Sequence, residues 1–245
     1  MNYILPFLAV ALGAIFVLIG KSTLKKQLSL LLAFSGAFLL ATTITAVFPE
    51  IFVHGNSQTS YWVLAGIVVQ IALENLTKGA EHGHIHIHGN ANLPWALVIG
   101  ISLHALIEGF PIAQHQELLW AVAIHKLPVA MLLVTALWQS KSSISRKFTI
   151  LLVFGLMTPL GSFCNENIPE LQVYALNITA LVAGAMLHIS TTILFESVEN
   201  HKLKLPKVLV ILFGLGLAAL LHYKLPYIFA QNLKTIKFMK FCYFI

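Results

Sequence analysis

The 245-residue sequence predicts an all-α, polytopic membrane protein with eight transmembrane helices, and three observations carry that expectation. Hydrophobic residues make up 58% of the chain and charged residues only 10%, where soluble domains carry about 25% charged residues. Mean hydropathy is +0.84. Eight stretches are each long enough to cross a hydrocarbon core, which takes about 20 apolar residues. Soluble globular, disordered, collagenous and coiled-coil classes are thereby excluded. The expected surroundings are a lipid bilayer, and no nucleic-acid partner is expected.

The spans are read at roughly 3–20, 28–48, 60–77, 95–112, 117–138, 148–166, 171–194 and 206–222. The first lacks a basic leading region and a small-residue cleavage site, so it is expected to be a retained helix rather than a signal peptide. The second ends in Phe48-Pro49-Glu50, which makes Glu50 either an entrance carboxylate or a snorkelling end residue. After the third comes the loop Glu81-His82-Gly83-His84-Ile85-His86-Ile87-His88-Gly89. Histidine at every second position between glycines reads as a metal-binding tract on a flexible loop. Cys164 and Cys242 stand far apart, form no motif and are expected to be isolated packing residues.

The fourth and fifth spans carry the polar residues that a membrane interior should not hold. The fourth reads Ser102-Leu103-His104-Ala105-Leu106-Ile107-Glu108-Gly109-Phe110-Pro111, and the fifth reads Ala123-Ile124-His125-Lys126-Leu127-Pro128-Val129-Ala130. An ionisable group at the centre of a span costs about 2.5–3.5 kcal/mol on the insertion scale, so its presence marks function by default. His104 and Glu108 are four apart and share a helix face. His104 and His125 each lie about ten residues from the turn at 113–116, or ~16 Å along a helix of 1.5 Å rise. That is near the middle of a ~30 Å core, so a hairpin of the two spans brings both imidazoles to one depth. Two imidazoles and a carboxylate suit a borderline divalent metal, zinc above all. Pro111 and Pro128 have no N–H to donate and are expected to free the carbonyls of Ile107 and Ile124 beside these ligands. Pro159, in the sixth span, is expected to break that helix in the same way. A charged Lys126 needs a partner at this depth, and Glu108 is the nearest acid in the pattern; the alternative is that Lys126 snorkels or sits deprotonated. His188, in the seventh span, is either a pathway residue or one half of an interhelical hydrogen bond.

Loop charges set the orientation. Lys21, Lys25, Lys26, Lys78, Lys141, Arg146, Lys147, Lys202, Lys204 and Lys207 all fall in the odd-numbered loops, and the even-numbered loops hold no Lys or Arg. Under the positive-inside rule the odd loops are cytoplasmic, including the His-rich one, and both termini face outward. Lys224, Lys234, Lys237 and Lys240, which follow the eighth span, resist this arrangement. With Phe229, Ile236, Phe238 and Phe241 they form a basic tail that fits an interfacial amphipathic stretch.

In these segments the chain resembles the ZIP (Zrt/Irt-like) family of divalent metal transporters. Phe34-Ser35-Gly36-Ala37-Phe38-Leu39-Leu40-Ala41-Thr42, with Phe48-Pro49-Glu50, is similar to the family's second helix. The His-rich loop stands in the family's usual place. The fourth and fifth spans resemble its paired metal-binding segments, and Thr158-Pro159-Leu160-Gly161 and Gly184-Ala185-Met186-Leu187-His188 resemble its sixth and seventh helices. Departures are Ala46, Ala105 and Val129, where many members have polar ligands, and Lys126 at a second-metal position. The string from His125 to Ala130 is closest to the branch with His-Lys-x-Pro-Ala-Ala.

The resemblance implies a transporter domain over 1–223, with the His-rich loop at 79–93, and a basic C-terminal tail over 224–245. It implies one midplane metal held by His104, Glu108 and His125, inward movement toward the cytoplasm, and homodimers. The cargo is expected to be Zn2+, with Fe2+, Mn2+ and Cd2+ as alternatives, and no prosthetic group is expected. His82, His84, His86 and His88 are loop ligands in this scheme, and Glu50, Lys126 and His188 are pathway candidates. The expected location is the cell (inner) membrane. Two other readings remain from the residues alone. An intramembrane zinc hydrolase would need a general base besides its ligands, and Glu108 is already used as one. A receptor or scaffold with buried polar pairs leaves the His-rich loop without a role.

Overall fold

The computed structural model describes residues 3–20, 24–77, 79, 93–196 and 204–242, and of 24–26 and 224–242 the backbone alone. His82, His84, His86 and His88 therefore lie outside the described residues, as do Lys78, Lys202 and the side chains of the basic tail. All regular structure among the described residues is helical. In chain order the helices are α1 (Ile4–Ile19), α2 (Leu24–Thr42), α3 (Phe48–His54), α4 (Thr59–Thr77), α5 (Trp95–Gly109), α6 (Gln116–Gln139), α7 (Ile144–Asn167), α8 (Pro169–Val173), α9 (Ala175–Glu196) and α10 (Leu205–Cys242). A π-helical stretch, Thr43–Val47, joins α2 to α3, and a 3-10 turn, Phe110–Ala113, follows α5.

Seven helices are long and apolar enough to cross a membrane, counting residues 27–54 as one span and 205–223 as the apolar part of α10. The eighth expected span is α1, which is apolar but only 16 residues long. The chain is an all-α, multi-pass membrane protein. The backbone of α10 continues as helix to Cys242, through much of the segment that the sequence reading set apart as a tail.

α6 forms the centre. Of its most apolar stretch 78% is buried inside the protein, against 22% for α4 and 17% for α10. One apolar cluster gathers Phe38, Leu39, Leu119, Val122 and Met186 from α2, α6 and α9. A second gathers Val10, Ile101, Leu133, Leu151 and Phe154 from α1, α5, α6 and α7. Both clusters use α6, so its remaining polar residues are held between two packed layers.

Pro111 and Pro159 act differently from the sequence expectation. α7 runs through Pro159 unbroken and α6 runs through Pro128. Pro111 does not free the Ile107 carbonyl, because the chain tightens into the 3-10 turn and Phe110 N–H donates to Ile107 O instead. Pro49 follows the π-helical stretch, where Phe48 N–H donates five residues back to Thr43 O. Thr42, Thr43 and Thr45 hydroxyls donate to the carbonyls of Phe38, Leu39 and Ala41 over the same stretch.

Candidate metal site

Close backbone approach of α5 and α7 builds the site's first wall. A Cβ on Gly161 would stand 2.2 Å from Leu106 O, and one on Gly109 would stand 2.2 Å from Thr158 O. Only glycine permits this approach, a packing habit of membrane helices that lets polar side chains reach across. Thr158, fully buried on α7, donates its hydroxyl to Ala105 O at 2.8 Å and stands 3.0 Å from Glu108 Oε1.

His104, Glu108, His125 and Lys126 are all buried. His104 Nε2 lies 3.3 Å from Glu108 Oε2, as their four-residue spacing on α5 requires. The rings of His104 and His125 stand edge to face with centroids 6.3 Å apart, so the two spans carry their imidazoles side by side. Lys126 Nζ donates to Glu108 Oε1 and to Thr158 Oγ1, each at 2.5 Å, and lies 4.8 Å from the centre of the Phe154 ring. The carboxylate thus faces an imidazole with one oxygen and an ammonium with the other. Among the described residues no three His, Cys, Asp or Glu side chains already converge as a preformed metal cage. In this arrangement Lys126 occupies one side of the carboxylate that a full ligand set would use.

Each imidazole has a polar neighbour on its far nitrogen. His104 Nδ1 lies 3.1 Å from Gln70 Oε1 on α4, and His125 Nδ1 lies 3.5 Å from Ser35 Oγ on α2. The sequence reading missed Gln70, although an amide inside the third span was a visible signal. It also missed Glu74, one turn further along α4, whose Oε2 lies 2.6 Å from His188 Nε2 on α9. α4 and α9 approach closely there because both contribute glycines to the contact: a Cβ on Gly66 would meet Leu181 O and one on Gly184 would meet Val63 O. His188 is therefore one half of an interhelical pair, displaced from the His104 cluster toward the α4 C-terminus.

Glu50 sits at the other end. Its Oε2 lies 3.0 Å from His115 Nδ1, and the pair lines a cavity of about 250 Å³ with Thr45, Ala46, Val47, Glu117 and His222. Thr45 Oγ1 lies 2.7 Å from His222 Nδ1 in the same cavity. His115 and His222 were not singled out from sequence, since each is a lone histidine beside a turn or a span end. Polar groups are thus stationed at three depths: the Glu50 cavity, the His104–Glu108–His125–Lys126 cluster, and the Glu74–His188 pair.

The family model described as "ZIP Zinc transporter" matches residues 73–222, more than half of the chain. The chain is similar to "Protein zntD" of Dictyostelium discoideum, with 32% identity over 104 residues, covering 35% of this chain and 15% of that protein. It is also similar to "Zinc transporter ZIP1" of Takifugu rubripes, with 28% identity over 155 residues, covering 57% of this chain and 51% of that one. The match thus spans about half or less of the length of these curated relatives. The matched region holds the α5–α6 hairpin with its buried histidines and carboxylate, and on this ground the chain belongs to the ZIP zinc transporter family.

Proposed function

We propose that the protein is a secondary transporter that moves divalent metal cations, Zn2+ foremost, across the membrane toward the cytoplasm. His104, Glu108 and His125 are the ligands of the midplane site. The observation that carries this reading is the 3.3 Å separation of His104 Nε2 from Glu108 Oε2 beside a second buried imidazole. Two donors at zinc bond lengths of about 2.0–2.2 Å and a tetrahedral angle stand about 3.4 Å apart, so these atoms need little rearrangement to share an ion. Three protein ligands leave a coordination position open, which favours release over retention.

Glu50 and His115 form the outer mouth in this scheme, and Glu74 with His188 forms an inner station. Lys126 is the counter-ion of the empty site: it neutralises Glu108 and by like-charge repulsion bars a second metal. The Lys and Arg distribution of the loops supports termini outside and the His82–His88 tract in the cytoplasm, where it would meet arriving metal. The working unit is taken to be a homodimer in the cell membrane, with no prosthetic group.

Flux of Zn2+, Fe2+, Mn2+ and Cd2+ in competition, measured with purified protein in sealed proteoliposomes, tests the reading. Saturable zinc flux is expected. Hydrolysis of a peptide or lipid without metal flux would overturn transport in favour of an intramembrane metalloenzyme.

A further inference from the structure

Gln70 is almost wholly buried, on a helix that contributes no ligand to the midplane site, yet its amide oxygen faces the ring of His104. A neutral imidazole carries one proton, and a metal takes the nitrogen that lacks it. Gln70 Oε1 lies 3.1 Å from Nδ1, a distance that suits Nδ1–H donating to the amide oxygen, which would leave the lone pair on Nε2. That lone pair then faces Glu108 Oε2 at 3.3 Å. In that tautomer two acceptors at this distance repel unless a proton or a metal cation lies between them. Gln70 thus sets up an arrangement whose natural occupant is a positive ion.

We propose that Gln70 is the positioning residue of the midplane metal site, holding His104 in the tautomer that presents Nε2 to the ion, and that its lack of charge keeps the site weak enough to release its cargo. The inference rests on the reading of His104 and Glu108 as metal ligands. Ligating histidines commonly donate their other N–H to a carboxylate or a carbonyl, which orients the ring and raises its basicity, and losing that partner costs 10–100-fold in affinity. A carboxylate at position 70 would polarise the imidazole more strongly than an amide and add a second negative charge near Glu108. An amide of the same length orients the ring without either effect. Packing of α4 against α5 and α9 places Gln70 on His104 and, one turn on, Glu74 on His188. The same helix therefore offers a neutral acceptor to the midplane imidazole and an anionic one to the inner imidazole.

The test uses the full chain purified in detergent, with equilibrium binding of Zn2+ measured for the parent, Gln70→Met, Gln70→Glu and His104→Ala. Met fills nearly the same volume without an amide oxygen, so Gln70→Met is expected to bind Zn2+ 10–100-fold more weakly. Gln70→Glu retains an acceptor and is expected to bind more tightly than the parent and to release zinc more slowly from proteoliposomes. A role in packing alone predicts the reverse order, with Met tolerated and the extra buried charge harmful. Nitrogen NMR of ring-labelled histidine reads the tautomer directly: His104 is expected as Nδ1–H in the parent and as a mixture in Gln70→Met. Parent-like zinc affinity in Gln70→Met, or an unchanged His104 tautomer there, overturns the proposal. If His104→Ala itself binds zinc like the parent, the ligand assignment fails first, and that outcome is distinct from the failure of Gln70.

Discussion

At the scale of single residues, the chemistry of the His104–Glu108–His125–Lys126 cluster follows from burial. Glu108 has the Lys126 amine on one oxygen and the His104 ring beside the other, so Lys126 is the group that balances its charge. Substituting His104→Ala or His125→Ala is expected to abolish metal uptake while membrane insertion survives, because removing a polar group from a span does not hinder insertion. Uptake at matched surface expression checks this, and near-normal flux in either variant would refute the ligand assignment. Equilibrium metal binding should weaken as pH drops from about 7.5 to about 5.5, since imidazole binds metal only when neutral and its ordinary pKa is about 6.5. Binding that stays flat across that range, followed in detergent to separate it from any proton-coupled flux, would argue against histidine ligation. Lys126→Asp replaces an ammonium with a further ligand and is expected to raise the metal stoichiometry from one toward two and to slow release. Lys126→Ala should leave it at one. Single-metal binding and parent-like transport by Lys126→Asp would remove the counter-ion role.

At the scale of elements, glycines decide how close helices come and therefore which side chains meet. Gly161 lets α7 lie against the Leu106 carbonyl of α5, and this approach brings Thr158 to Glu108 and Lys126. Gly161→Ala would place a methyl group 2.2 Å from that carbonyl and 3.1 Å from Gly109 Cα. Backbone on both sides cannot yield as a flexible side chain would, so the helices must separate. Overpacking of this kind costs about 1–3 kcal/mol, and a lower thermal unfolding midpoint with weakened zinc binding is expected. An unchanged midpoint would show that α5 and α7 have slack at this contact. The π-helical stretch ahead of Pro49 is the second device at this scale. Its threonine hydroxyls donate to the carbonyls one turn back, and it leads into α3, which carries Glu50 to His115.

At the scale of the whole molecule, α6 contributes to two apolar clusters and also carries the buried His125 and Lys126. Deleting residues 82–88 removes loop histidines and no part of a described helix, so uptake is expected to fall only modestly or to change in its regulation. Complete loss of transport in a correctly inserted deletion would make the tract essential.

Hydropathy and loop charge are properties of residues taken one at a time or in short windows, so they were legible in the chain before any fold was known. The eight helical segments, and the equal depth of His104 and His125, followed from span length and rise per residue. The Lys126–Glu108 pair was also foreseeable, because a buried ammonium has few acids to choose from. Gln70, Glu74, Ser35 and His115 were not foreseeable as partners of particular histidines, since their contacts join helices distant in sequence. Nor was the fate of the proline-adjacent carbonyls. Whether Ile107 O was freed depended on the chain tightening into a 3-10 turn beyond α5, where the backbone satisfied itself. Sequence by itself determined which polar groups stand within apolar helical segments and how far along them they lie. Only the tertiary structure decided which of them face one another, because that depends on the approach and rotation of packed helices, set here by glycines whose partners are carbonyls elsewhere in the chain.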